Sequence, residues 1–290
     1  MMRQILATVL VVCTWTFCHG AGEFELYTSA GARCSAEHGQ QAAKVAFEKY
    51  QVWKRARDQG RKAPPGAFRD AGQAFDYLVR SGCKDGLVLY RYGNLLRHKR
   101  QYDKAIKVIE QSLPDLSENY SSHLSSAYYV LGYCSTKTEH YDDAIKYYRL
   151  SIQHDPEEVD SRINLATRLY WKGRHDQAAE AANYVLQSKT LKVSRWGLGQ
   201  CHNLLGWIAL DSGQPNQAIE CFAEAYELRK YPWDLEGLAW AYEKTDPKRA
   251  RDYWDRILKV RKGSAEPKFL PQTEERIEQM MSDAGAPSKK

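Results

Sequence analysis

The clearest pattern in the chain is a small residue, preceded by a tyrosine or leucine, that recurs at nearly regular intervals. It stands at Gly93, Gly132, Ala166, Gly206 and Ala239, with spacings of 39, 34, 40 and 33 residues. An alanine follows each of these anchor residues after 11 or 12 positions, at Ala105, Ala144, Ala178, Ala218 and Ala250. Apolar residues surround both sets at helical spacing. A period of this length indicates stacked helical hairpins, in which small residues let paired helices approach closely.

The residues just before each alanine define where the second helix of a hairpin begins. Segments 101–105, 140–144, 174–178 and 214–218 each carry Asp or Asn two residues ahead of the alanine. Such side chains accept hydrogen bonds from the unpaired N–H groups at a helix start and favour its positive dipole end. Each repeat therefore predicts a first helix, a tight turn and a second helix.

This unit resembles the tetratricopeptide repeat, a 34-residue helix–turn–helix with Leu-Gly, aromatic, Ala and Pro positions. The second repeat matches it best, at Tyr128, Leu131, Gly132, Ala144, Tyr148 and Pro156. The resemblance covers about residues 85–262 and implies an all-α, right-handed superhelical solenoid of five antiparallel hairpins. The extra residues of the two long repeats are expected between hairpins, near 117–122 and 189–199.

The flanking regions predict further helices. Residues 21–84 are expected to form an N-terminal hairpin, a degenerate repeat or cap, with helices over 37–59 and 67–80 around a turn at 60–66. In that second helix Ala71, Phe75 and Leu78 keep the apolar spacing. Residues 263–290 are expected to add a capping helix over 271–281 and a flexible tail.

The first 20 residues predict a secretory signal peptide. Arg3 precedes a 14-residue run without charge, and small residues follow at 20–22. The run is shorter than the roughly 20 residues needed to cross a bilayer, although an uncleaved membrane anchor is the alternative. We therefore expect an exported protein, periplasmic or secreted. Cleavage near residue 20 would change the net charge from +6 to +5, which does not point to nucleic acid.

Five cysteines lie beyond the signal segment, in no metal- or haem-binding spacing. Antiparallel packing of the N-terminal hairpin would bring Cys34 close to Cys83, and we expect a disulfide between them, testable by non-reducing peptide mapping. Cys201 and Cys221 lie on the two helices of one hairpin at heights that do not obviously match. Cys134 is expected to be a small buried residue.

The sequence contains no motif of catalytic chemistry. Nucleophile elbows, HExxH, glycine-rich phosphate loops and GxGxxG are all absent, and the histidines are scattered. We therefore expect neither an enzyme nor a cofactor or metal site. A small-molecule or catalytic role in a deep pocket is a remote alternative, for which the spacing provides no polar cluster.

The resemblance implies that a partner groove is lined by the first helices, at positions three before and one after each anchor. These positions hold Tyr90, Asn94, Tyr129, Tyr133, Ile163, Thr167, Asn203, Trp207, Glu236 and Trp240. The next turn adds Arg97, Tyr170 and Glu243. Tyr and Trp supply large, rigid contact areas at interfaces. The alternative is that these aromatic residues fill gaps between helices or lie under the chain's own tail.

We expect a peptide or partner helix to lie along these aromatic residues, with Asn94, Asn164 and Asn203 bonding its backbone. Some tetratricopeptide proteins hold a C-terminal carboxylate with Lys, Asn and Arg two residues before the anchors, but here only Asn164 fits. The expected function is therefore an interaction scaffold in the envelope or secretory space. The alternative is peripheral binding of anionic lipid or envelope polymer through basic stretches 49–62 and 244–262, unless these are merely solvated helix faces.

Overall fold

The computed structural model describes residues 39–263 together with residues 273, 275, 276, 278 and 279. Every regular element in this part of the chain is helical, as the repeat spacing predicts. The signal segment and Cys34 lie outside the described residues, and so does the start predicted for the first helix. None of the described helices combines the length and the apolar character that crossing a bilayer requires.

Twelve α-helices form the described part of the chain. They are α1 Gly39–Asp58, α2 Ala67–Arg80, α3 Gly86–His98, α4 Tyr102–Asn119, α5 Leu124–Lys137, α6 Tyr141–His154, α7 Val159–Trp171, α8 His175–Gln187, α9 Arg195–Asp211, α10 Pro215–Arg229, α11 Pro232–Glu243 and α12 Pro247–Gly263. A 3-10 turn, Ser121–His123, precedes α5. The chain divides into two compact units, residues 1–95 and residues 96–290.

The first unit contains the N-terminal helical pair. Helices α1 and α2 pack against each other, and Phe47 meets Phe75 edge-on with ring centroids 5.3 Å apart. Ala71, Phe75 and Leu78 are fully buried. The apolar spacing of α2 therefore identifies its packed face correctly.

The second unit repeats one packing pattern four times. The pairs α5/α6, α7/α8, α9/α10 and α11/α12 are hairpins, and each second helix also packs against the first helix that follows it. In addition, α5 packs against α7, α7 against α9, and α9 against α11. These four first helices thus lie side by side, and we call them the first-helix wall.

The anchor residues lie where first and second helices approach most closely. Ala166 and Ala239 are fully buried, as are the second-helix alanines Ala144, Ala178 and Ala218. A Cβ atom placed on Gly132 would lie 2.7 Å from the ring of Tyr148 on α6. Only glycine fits there, because real Cβ atoms do not approach ring carbons that closely.

Four of the five tight turns within the repeat hairpins place one residue in the left-handed backbone region. Gly173 (φ 71°) and Gly213 (φ 72°) do so after α7 and α9, whereas Arg100 (φ 59°) and Glu139 (φ 63°) hold the equivalent places in earlier repeats. A side chain disfavours this conformation. The turn geometry is therefore kept even where the sequence supplies no glycine.

The extra residues of the long repeats are not accommodated only in loops. The first insertion lengthens α4, an 18-residue helix that includes Pro114 and ends at Asn119, and continues into the 3-10 turn. The second forms the connection 188–194, after which α9 begins at Arg195 and runs for 17 residues. The prediction that the extra residues lie in loops was therefore only half right.

Candidate functional site

A cleft of about 670 Å³ opens along the first-helix wall of the second unit. It crosses α7, α9 and α11, with contributions from the start of α6 and the end of α10. The lining residues are Tyr141, Thr167, Arg168, Tyr170, Trp171, Lys172, Gln200, Asn203, Leu204, Trp207, Arg229, Trp233 and Glu236. The volume lies within the range of about 300–1,000 Å³ typical of ligand clefts.

Aromatic side chains give the cleft much of its apolar surface. Trp171 is 58% exposed and Trp233 is 42% exposed, so a large part of each indole is accessible to solvent. Tyr170 donates its hydroxyl to Asp211 on α9 at 2.8 Å, and Trp207 packs edge-on against Phe222 with centroids 5.1 Å apart. The cleft therefore combines fixed aromatic walls with two exposed indole rings at which apolar groups could dock.

A buried ionic network holds the floor of the cleft in place. The carboxylate of Asp234 is fully buried. It accepts hydrogen bonds from Arg229 Nε at 3.2 Å and from Asn203 Nδ2 at 2.8 Å. Arg229 Nη2 makes a second hydrogen bond to the same carboxylate. Burial raises the pKa of Asp234, although its bonds to Arg229 oppose that change. These bonds link α9, the end of α10 and the start of α11 around one carboxylate.

Several residues predicted for the groove do line this cleft. Thr167, Tyr170, Asn203, Trp207 and Glu236 are among its walls. Thr167 donates its hydroxyl to the Ile163 carbonyl within α7 at 2.9 Å, while Ile163 is itself buried in the core. Three of the five first helices thus contribute predicted positions to a common surface.

The predicted tyrosines of α5 lie on the same wall but outside the cleft lining. Tyr133 lies between two cations, with Arg97 5.2 Å and Lys137 5.5 Å from its ring centroid. Tyr129 is half-buried against Tyr148, and burial raises its pKa to about 12. Tyr133 is therefore a cation-flanked surface ring, whereas Tyr129 partly serves the core.

The first predicted pair, on α3, is buried within the first unit. Tyr90 is 4% exposed and Asn94 is 8% exposed, and the Asn94 amide donates to the Tyr50 hydroxyl at 2.7 Å. Neither residue offers an open face of the kind expected for a groove. The reason is that aromatic residues of α1, such as Tyr50, pack against α3. The later repeats have no equivalent of α1, so their pattern does not predict this burial.

The three asparagines expected to bond a partner backbone all donate within the chain. Asn94 bonds Tyr50, and Asn203 bonds Asp234, as described above. Asn164 donates to the Asp160 carbonyl of its own helix at 2.7 Å. Of the three, only Asn203 is among the residues that line the cleft.

The last predicted groove positions contact the C-terminal segment of the chain. Trp240 donates its indole N–H to Thr273 Oγ1 at 2.8 Å, and Arg276 donates to Glu243 Oε1 at 3.2 Å. Thr273 is fully buried and lies in helical backbone. For this end of the wall, the chain's own C-terminal segment takes the place predicted for a partner.

Eight residues that line the cleft were not predicted for the groove from the sequence: Tyr141, Arg168, Trp171, Lys172, Gln200, Leu204, Arg229 and Trp233. Gln200 and Trp233 lie six residues before their anchors, one helical turn upstream of the positions considered, so the same periodicity could have found them. Arg229 and Tyr141 come from second helices. Nothing in a first-helix pattern indicates that second-helix ends reach this face.

The described residues contain no cluster of three or more His, Cys, Asp or Glu side chains arranged to hold a metal ion. Cys134, Cys201 and Cys221 carry free thiols, so Cys201 and Cys221 are not paired. Burial raises the pKa of both Cys134 and Cys201 to about 12, which disfavours the reactive thiolate. Cys134 is a small buried residue, as expected. Cys83 is buried after α2, and its pairing with Cys34 stays a prediction.

Comparison with known proteins matches the repeats directly. Tetratricopeptide-repeat family models match residues 88–123, 125–158 and 199–231. No curated protein matches the chain in sequence. Among solved structures, MamA of MSR-1 is 18% identical with a TM-score of 0.51, covering 66% of this chain and 97% of that one.

Two further structures show the same fold. MamA of AMB-1 is 19% identical with a TM-score of 0.51, covering 64% of this chain and 98% of that one. YrrB, a tetratricopeptide protein with an unusual peptide-binding site, is 17% identical with a TM-score of 0.50 over 66% of this chain and 93% of its own. Together with the helix order and hairpin packing, these matches show that the chain contains tetratricopeptide repeats and folds as an all-α solenoid of antiparallel hairpins.

Proposed function

We propose that this protein is a non-enzymatic scaffold that holds a peptide or partner helix in the cleft across α7, α9 and α11. The observation that carries this proposal is the pair of exposed indoles, Trp171 and Trp233, which line the same cleft. Exposed tryptophans in a concave surface are typical of binding hot spots, because they bury a large apolar area at low entropic cost. Tetratricopeptide proteins generally bind proteins or peptides, and YrrB has a peptide-binding site.

The floor of the cleft supports the same proposal. Asn203, Asp234 and Arg229 are fixed by mutual hydrogen bonds, so the walls need little reordering when a partner docks. Preorganisation of this kind raises affinity because less conformational freedom is lost on binding.

We also propose that the scaffold works outside the cytoplasm. The support is the sequence of the first 20 residues, with a basic start, an uncharged apolar run and small residues at 20–22. An exported scaffold would assemble envelope or secreted proteins rather than cytosolic ones.

Site-specific photo-crosslinking in the producing cells tests the cleft. A photoreactive amino acid replaces Gln200, which lines the cleft, and in a matched control it replaces Gln187, the exposed last residue of α8. We expect a discrete protein adduct from position 200 that position 187 does not give. The double substitution Trp171→Ala and Trp233→Ala should abolish it, since the two indoles supply the docking surface.

A third variant, Tyr184→Ala, removes an aromatic residue of similar exposure from α8, outside the cleft lining, and should leave the adduct unchanged. Equal adducts from both crosslinking positions, or an adduct that survives the double substitution, would contradict the cleft as the binding site. If no adduct forms and lipid or anionic polymer co-purifies with the protein until it is washed off with salt, binding through the basic stretches would be favoured instead.

A further inference from the structure

One cation in the cleft has no anionic partner among the residues that the structure describes. Arg168, on α7, lines the cleft and is half-buried. Its guanidinium carbon lies 5.6 Å from the centroid of the Tyr141 ring. Within the described residues, no carboxylate, carbonyl or hydroxyl accepts a hydrogen bond from this guanidinium.

The other two cations of the cleft are neutralised. Lys172 pairs with Asp142 at 2.9 Å, and Arg229 is held by the buried Asp234. Partial burial lowers the pKa of Arg168, yet an arginine stays charged at any physiological pH. A partly buried charge loses hydrogen bonds to water, which is unfavourable when no counter-ion replaces them. An anion that binds in the cleft would supply hydrogen bonds and charge to the guanidinium in their place.

We propose, building on the function proposed above, that the cleft recognises a peptide segment bearing an Asp or Glu side chain that pairs with Arg168. Apolar side chains of the same segment would pack on Trp171 and Trp207. Arginine suits this role because its planar group can donate two parallel hydrogen bonds to a carboxylate.

The carboxylate is a side chain within the peptide rather than a chain terminus. The first-helix wall continues on both sides of α7, with α5 packed on one side and α9 on the other, so a peptide can run past Arg168 in both directions.

Selection from a random dodecapeptide library displayed on phage tests this inference, because fusion to the coat protein leaves the peptides without a free C-terminus. We expect peptides enriched by the full-length protein to carry an Asp or Glu beside apolar residues. For one selected peptide, Arg168→Gln should weaken binding about ten-fold, the loss of one charge-assisted contact. Arg168→Lys, which keeps the charge, should weaken it less.

Arg149→Gln is the matched control. Arg149 is an exposed arginine of α6 that contacts Gln177, so this variant changes net charge equally without touching the cleft and should bind as wild type. Circular dichroism and thermal melting identify any variant that fails to fold, in which case the Arg168→Lys data decide. Enriched peptides without acidic preference, or equal losses in both glutamine variants, would overturn this inference alone. No enrichment at all would instead count against the peptide-binding function.

Discussion

Phe222 shows how single residues set the distance between repeats. Its ring, on α10, lies against the backbone of Gly206 on α9 and of Gly237 on α11. A Cβ atom would come within 2.7 Å of the ring at Gly206 and within 2.3 Å at Gly237. The glycines therefore let one second-helix aromatic reach two neighbouring first helices, which gives the repeat its close packing.

Gly206→Ala should destabilise the protein by about 1–3 kcal/mol, the usual cost of overpacking a core. The sign of this change in unfolding free energy is informative, because replacing glycine by alanine in a helix interior otherwise stabilises a protein by about 1 kcal/mol. Urea denaturation followed by circular dichroism measures the change in unfolding free energy.

Combining Gly206→Ala with Phe222→Leu supplies the control for that measurement. The smaller side chain relieves the clash, so the alanine should cost less in the double variant than in the wild-type background. An alanine that stabilises the wild-type protein would show that the ring moves aside freely.

At this scale the sequence predicts packing better than exposure. The anchors and alanines are identified as points of close approach because small residues in fixed register have few other uses. By contrast, the exposure of Trp171, and the lack of a carboxylate partner for Arg168 among the described residues, depend on which groups other helices bring nearby, and no local pattern records that.

Between elements, the Asp234 carboxylate joins α9, α10 and α11. Arg229 also approaches the rings of Trp196 at 5.2 Å and Tyr231 at 5.6 Å, and its side chain fills the space beside Gly199. The Arg229 side chain is 4% exposed, so water cannot replace Asp234 as the partner of its guanidinium.

Asp234→Ala should therefore cost about 3–5 kcal/mol, since it leaves the Arg229 charge buried and uncompensated. Replacing both residues, as Arg229→Met with Asp234→Leu, should cost clearly less, because no buried charge then remains. Thermal and urea unfolding of the two variants and the wild type provide the comparison. If the double variant were less stable than Asp234→Ala, the hydrogen bonds of the network would stabilise the fold by more than the neutralisation of its two charges.

The helices themselves were largely predictable, and their ends less so. The repeat period and the Asp or Asn near each second-helix start locate the turns at 100, 139, 173 and 213, because a tight turn leaves little freedom in register. The N-cap residues of these four helices make no side-chain capping hydrogen bond, so the capping expected from the sequence is wrong. The connections between hairpins differ in length, and there the sequence does not show whether extra residues extend a helix. Tertiary contacts decide this, as in α4, which continues through Pro114 to Asn119.

For the molecule as a whole, the repeat class follows from sequence because each hairpin contacts only its neighbours. Five in-phase anchors thus suffice to specify the class, and the family matches confirm it. The partner surface is less predictable because a uniform pattern treats every repeat alike. In the structure, α3 contributes buried residues, α7 to α11 form a cleft, and Trp240 contacts the C-terminal segment.

Nearest-neighbour packing also predicts which helices lose stability when that C-terminal segment is removed. Deleting residues 264–290 removes the contacts of Thr273 with Trp240 and of Arg276 with Glu243. Hydrogen exchange should then accelerate in α11 and α12, while α5 to α8 keep their protection, because solenoid stability is a sum of local interfaces. Deleting only residues 280–290 retains these contacts and should leave the exchange pattern unchanged. Uniform acceleration across the second unit would show instead that its hairpins unfold together, as one cooperative body rather than a series of repeats.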